Sequence, residues 1–142
     1  VDNLARFVDA RTVVAPVPSD DKDPNARPLR ANLELLRAAL DQDGEPLRVV
    51  ELPTPDPVWH GKLRCPASYA NFYIGAGTVL VPTYRCAQDQ RTLEILAELF
   101  DDREVVGIDC TNVVLGLGAL HCVTLQEPLQ EPQPQPRSPD LP

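Results

Sequence analysis

Cys122 stands in the run Leu115-Gly116-Leu117-Gly118-Ala119-Leu120-His121-Cys122-Val123-Thr124, where two glycines lead into a short apolar segment. Glycines at such a place let the backbone bend sharply and let a ligand come close to the end of a strand, which suits a thiol nucleophile. Cysteine is also among the most buried residue types, so the same run reads as a core strand. His121 is the adjacent residue. Neighbours on a strand point to opposite faces, so the spacing predicts that the base for a Cys122 nucleophile comes from elsewhere. His60, beside Trp59 and among prolines, reads as a loop residue. A zinc site built from His60, Cys65, His121 and Cys122 lacks a recognised ligand spacing. The sequence also has no phosphate loop, dinucleotide fingerprint or serine elbow, so neither metal nor cofactor is expected. Asp2 and Asn3 precede Leu4-Ala5-Arg6-Phe7-Val8, which reads as an amphipathic turn of helix. Asp2 there is either an N-terminal cap or a functional carboxylate, while Arg6 and Asp9 read as surface or local ion-pair residues.

Composition narrows the chemistry those residues can serve. The 142 residues carry 21 acidic against 13 basic side chains, a formal charge of -8, and the basic residues do not cluster. Nucleic acid is not an expected partner, because phosphate binding needs a concentrated positive face. The acidity suits a small cationic substrate and equally serves solubility. No stretch approaches the roughly 20 uninterrupted apolar residues of a membrane span. Cys65, Cys86, Cys110 and Cys122 have no framework spacing, which predicts reduced thiols and a cytoplasmic setting. The chain has no methionine, and Val1 lies inside amphipathic sequence. A processed product or a piece of a longer protein is the expectation.

The positioning elements follow from periodicity. Thr12 to Pro16 reads as a buried strand. Leu29, Leu33, Leu36 and Leu40 fall at helical spacing, with Gly44 as a left-handed C-terminal cap, and Leu47 to Leu52 returns as a strand ended by Pro53. Asn71 to Ile74 and Thr78 to Val81 flank Gly75-Ala76-Gly77, a hairpin signal. A second helix is expected over Thr92 to Phe100 and a strand over Arg103 to Ile108. Strand, helix, strand thus occurs twice at a spacing of about 60 residues, which predicts a repeat of small α/β units. Two such units leave sheet edges open, so partner units or self-association into a homo-oligomer would be needed to cover them. Residues 1–125 read as the folded portion. Residues 126–142, with six prolines among repeated Gln and Glu, read as a disordered or polyproline-like tail.

Five motifs occur together and in order: Val1-Asp2-Asn3-Leu4-Ala5-Arg6-Phe7, Asn32-Leu33-Glu34-Leu35-Leu36, Ser68-Tyr69-Ala70-Asn71-Phe72-Tyr73-Ile74, Phe100-Asp101-Asp102-Arg103-Glu104-Val105-Val106-Gly107-Ile108 and Gly118-Ala119-Leu120-His121-Cys122-Val123-Thr124. In this the chain resembles the agmatine deiminases, which belong with the bacterial-type peptidylarginine deiminases. The resemblance implies a pentein fold, a five-bladed propeller of ββαβ units, of which this chain would hold roughly the two C-terminal repeats. It implies that Cys122 attacks a guanidinium carbon and that Asp2, from a His-x-Asp motif, holds the guanidinium. The motif's histidine, the general acid/base, would lie immediately before Val1. Gly116 and Gly118 would line the substrate site. The implied reaction converts agmatine to N-carbamoylputrescine and ammonia, a step of putrescine biosynthesis, and these 142 residues alone are expected to be inactive.

The family's loop usually reads Gly-Gly-Gly-Asn-Ile-His-Cys. Here Leu117 and Ala119 replace a glycine and the asparagine, which leaves agmatine, arginine-like compounds and peptidyl-arginine open as substrates. A non-catalytic pentein remnant acting as an interaction protein is the alternative.

Overall fold

Runs of β-branched residues interrupted by single prolines make the two longest ladders of the molecule. The computed structural model describes residues 2–127. The element order is β1 (Arg6–Phe7), β2 (Thr12–Val17), α1 (Ala26–Ala38), β3 (Arg48–Pro53), β4 (Trp59–His60), β5 (Leu63–Arg64), β6 (Tyr73–Ile74), β7 (Thr78–Thr83), α2 (Gln88–Leu99) and β8 (Glu104–Asp109), followed by a 3-10 turn at Val113–Gly116. β2 pairs parallel with β3 from Thr12 opposite Arg48 to Val17 opposite Pro53. β7 pairs parallel with β8 from Thr78 opposite Glu104 to Thr83 opposite Asp109. Parallel neighbours need a crossover, and α1 and α2 supply it. Short antiparallel partners complete each sheet, in the orders β1-β2-β3 and β6-β7-β8. The fold is therefore mixed α/β, with two ββαβ units in succession.

One apolar core serves both units. Val14 and Leu52 of the first unit cluster with Val79, Val81, Leu96, Phe100, Cys110 and Val114 of the second, and with Tyr69 and Phe72 of the connection. Phe72 meets Phe100 edge-on, with ring centroids 6.0 Å apart, a geometry that the aromatic quadrupoles favour. No helix among the described residues is long and apolar enough to cross a membrane.

Several local expectations are corrected. The stretch Leu4 to Val8 holds no helical turn; Arg6–Phe7 is a strand. The Asp9 carboxylate accepts hydrogen bonds from the backbone N–H groups of Arg11 and Thr12, so the turn closes into a hairpin, and five residues were too few for the period to tell strand from helix. Arg6 is half-buried with its guanidinium 5.3 Å from the Phe72 ring centroid, a cation–π contact, and it also interacts with the charge of Asp2.

Gly44 does take a positive φ, +82°, but it caps no helix. α1 stops at Ala38, and the Asp41 carboxylate captures the N–H groups of Asp43 and Glu45 in a separate turn, the competition that short polar side chains offer to a helix. α2 begins at Gln88, one turn earlier than its apolar spacing showed, because that first turn is polar. Trp59 and His60 lie on a small exposed hairpin with Leu63 and Arg64 and not in a loop. The expected tail lies almost wholly outside the described residues.

Candidate active site

The segment just before β1, the segment just before β6 and the loop after the 3-10 turn converge at one point. Asn71 enters first because it organises the other two. It is fully buried, so each of its polar atoms needs a partner. Its Nδ2 lies 3.1 Å from Asp2 Oδ2, 2.9 Å from Asn3 Oδ1 and 3.0 Å from Cys122 Sγ. Its Oδ1 accepts from the Cys122 N–H at 3.3 Å, and its backbone carbonyl accepts from the His121 N–H at 3.1 Å. One amide therefore holds the thiol, the backbone that carries the thiol and the neighbouring carboxylate.

Asp2 closes the arrangement. Its Oδ2 accepts from Cys122 Sγ at 3.2 Å and lies 2.9 Å from His121 Nδ1. The hydrogen bond from His121 holds the Asp2 carboxyl below the ordinary carboxylate range, partial burial opposes this, and the Cys122 bond adds to it. Cys122 itself is exposed. The sequence of contacts is sulfur, carboxylate, imidazole. His121 and Cys122 thus meet the same carboxylate oxygen, and the imidazole contact helps to orient it.

Leu120 to Val123 form a turn, closed by the Val123 N–H on the Ala119 carbonyl. The expected strand is absent, and with it the argument that His121 must face away from Cys122's surroundings; a turn lets successive side chains converge on Asp2. Gly118 leaves no room for a side chain, since a Cβ there would lie 2.6 Å from Cys122 Cβ and 3.1 Å from its Sγ. Gly116 ends the 3-10 turn with open space where a Cβ would be. Between them Leu117 adopts φ +68°, the left-handed region that disfavours a branched side chain.

The other cysteines stand apart from this cluster: Cys65 and Cys110 are buried, Cys86 is half-buried, and all are unpaired. His60 is exposed on β4. Among the described residues no group of three or more His, Cys, Asp or Glu side chains is arranged to hold a metal ion.

A carboxylate and an amide thus lie around an accessible thiol. The family model for Porphyromonas-type peptidyl-arginine deiminases matches residues 1–128. The chain belongs to this family. The agmatine deiminase of Pseudomonas syringae pv. syringae is 31% identical over 146 residues, which takes in 90% of this chain and 40% of the relative. Among solved structures, a Porphyromonas gingivalis protein provisionally assigned as an arginine deiminase is 46% identical with a TM-score of 0.86, covering 89% of this chain and 38% of that one. The agmatine deiminase of Enterococcus faecalis is 28% identical with a TM-score of 0.83, covering 89% of this chain and 40% of that one. The chain spans about 40% of the length of the curated deiminases it matches.

Within the deiminase family reading, the structure brings Cys122 and Asp2 together and sets Gly118 against the thiol, while Gly116 lies off the cluster. Sequence reasoning gave no site role to Asn71 or Asn3, and it set His121 aside as facing away from Cys122. A signal for Asn71 was present, because an amide flanked by Tyr69, Ala70, Phe72 and Tyr73 has to be buried with them and therefore satisfied.

Proposed function

We propose that this chain is the C-terminal portion of a pentein-type deiminase, with residues 1–125 forming part of its catalytic domain, and that the complete protein hydrolyses a guanidino compound of the agmatine type. The observation that carries the reading is the contact of the Asp2 carboxylate with Cys122 Sγ, 3.2 Å apart in space and 120 residues apart in sequence. A planar guanidinium seeks a carboxylate that accepts its N–H groups, and Asp2 would hold one directly over the sulfur. The Asn71 amide, 3.0 Å from the sulfur, would donate to the attacking thiolate.

The thiolate then forms a C–S bond to the guanidinium carbon. The C–N bond breaks as ammonia takes a proton and leaves. Water adds to the remaining thiouronium carbon, and the C–S bond breaks to give a ureido product and the free thiol. His121, held on Asp2, keeps the carboxylate ionised and aimed. The proton for ammonia comes in this reading from the histidine that the family motif places just before Val1. For agmatine the product is N-carbamoylputrescine, and the setting is putrescine formation in the cytoplasm. The intact set of contacts around the thiol favours this reading over a non-catalytic remnant.

The test is Cys122→Ala in the complete protein, followed by colorimetric detection of ureido product. Loss of turnover to background with an unchanged circular dichroism spectrum is expected. Product formation by the variant would overturn the assignment of Cys122.

A further inference from the structure

Asp2 must be held by more than its side-chain partners, because the segment that carries it has no secondary structure of its own before β1. The backbone on its C-terminal side is pinned at two points. The Ser68 hydroxyl donates to the Asn3 carbonyl at 2.8 Å, and the Asn32 amide donates to the Leu4 carbonyl at 2.9 Å. Ser68 is buried and is itself bracketed. The Tyr84 hydroxyl lies 3.3 Å from both its N–H and its carbonyl, accepting from the first and donating to the second. Tyr84 is buried as well, and its ring packs on Tyr69 at 5.7 Å between centroids. The Ser68 Oγ also accepts from the Ala70 N–H, which fixes the rotamer that faces Asn3.

We propose that Ser68 is a positioning residue that sets affinity for the guanidinium by fixing the Asn3 carbonyl, and with it the height of the Asp2 carboxylate above Cys122. It touches neither the thiol nor the carboxylate. Its effect travels through one backbone hydrogen bond across 65 residues of sequence. The inference rests on the proposed guanidino-hydrolase reading and adds to it the device that places the carboxylate.

Removing the hydroxyl lets the segment relax and the carboxylate withdraw. Two readouts then move together. Substrate loses its aligned carboxylate, so KM rises, while the exposed sulfur loses the carboxylate oxygen that lies 3.2 Å from it and is more open to alkylation. The experiment compares Ser68→Ala, Ser68→Thr and Tyr84→Phe in the complete protein, with agmatine and arginine as substrates and iodoacetamide at pH 7 as the thiol probe. For Ser68→Ala the expected result is a KM increase of roughly tenfold with kcat changed by less than about threefold, the pattern of lost ground-state alignment. Cys122 alkylation should speed up severalfold. Ser68→Thr, which keeps the hydroxyl, restores both, and Tyr84→Phe gives a weaker change in the same direction.

If KM and alkylation stay at wild-type values in Ser68→Ala and Tyr84→Phe, the proposal is overturned, even where the melting temperature falls. If the wild-type protein turns over neither substrate, the guanidino-hydrolase reading fails, and the alkylation rates alone then decide the role of Ser68.

Discussion

The two ββαβ units share one grammar and differ in what lies against their last strand. In the first, Leu52 of β3 sits opposite Pro16 of β2 and is fully buried. In the second, Ile108 of β8 sits opposite Pro82 of β7, the same rung of the same six-rung ladder, and is 37% exposed. α2 of the second unit packs against β3 as well as against its own β8. No described element follows to pack on β8 in the same way. Equivalent residues in equivalent registers thus have different burial because burial is conferred by the next unit along the chain. The polar residues follow the repeat too. Asp2 and Asn3 precede β1, Asn71 precedes β6, and the site forms where these corresponding segments meet.

The largest break of this comparison comes from the paired apolar positions. Leu52→Ala should cost about 2–5 kcal/mol of stability in urea denaturation and Ile108→Ala about 1 kcal/mol or less, since the cost follows the buried volume left empty. Equal costs would show that the two ladders are packed alike after all.

The glycines of the thiol loop give the next largest contrast. Gly118→Ala places a Cβ into Cys122 and should cost about 1–3 kcal/mol, as over-packing does, while also altering the rate of Cys122 alkylation. Gly116→Ala, which meets open space, should leave that rate unchanged. Matching effects at both positions would remove Gly118 from the set of residues shaping the thiol.

Smaller still is the gain expected from Leu117→Gly. The left-handed backbone costs a branched residue about 1–2 kcal/mol, and glycine's freedom in the unfolded chain returns part of that. A melting temperature a few degrees higher is the outcome that checks it; a lower one would mean that the leucine side chain contributes more packing than its backbone costs.

The smallest contrast is in acid. Asp2, Asp9, Asp23 and Asp41 belong to the first unit, and each is held below the ordinary carboxylate value: Asp2 by its bond to His121, Asp9 by the Arg11 N–H, Asp23 by Arg64 and Asp41 by the Glu45 N–H. In the second unit Asp109 is pushed down to about 2 by Thr111 and Arg85. A carboxylate with a depressed folded pKa contributes stability above its unfolded value, near 3.9, and loses it as pH falls through the folded one. Amide exchange in β1 to β3 should therefore accelerate more than in β7 and β8 as pH drops below about 4. Uniform acceleration would mean that the units open together.

Much of the fold was legible because its main elements bury continuous apolar runs or show clean helical spacing: β2, β3, β7, β8 and the body of α1 can be read from residue types alone. The misreadings have a common cause. β1, the Gly44 turn and the Leu120–Val123 turn are short and are set by hydrogen bonds, from Asp9, from Asp41 and within the loop itself, which no periodicity records. The site divides in the same way. Cys122 and Asp2 can be named from motifs that resemble a known family. The roles of Asn71, Asn3, His121 and Ser68 depend on contacts between segments far apart in sequence, and only the folded chain brings them together.

The contact between Asp2 and Cys122 also constrains how the molecule assembles. It closes a loop of nearly the entire described chain, and the entropy of such a closure is recovered only after the shorter loops inside it have formed. The last structure to appear during folding, and the first to be lost on local opening, is then the cluster of Asp2, Asn71 and Cys122. A thiol that elsewhere would report only on its own turn becomes here a sensor of whether the two ends of the folded region have met.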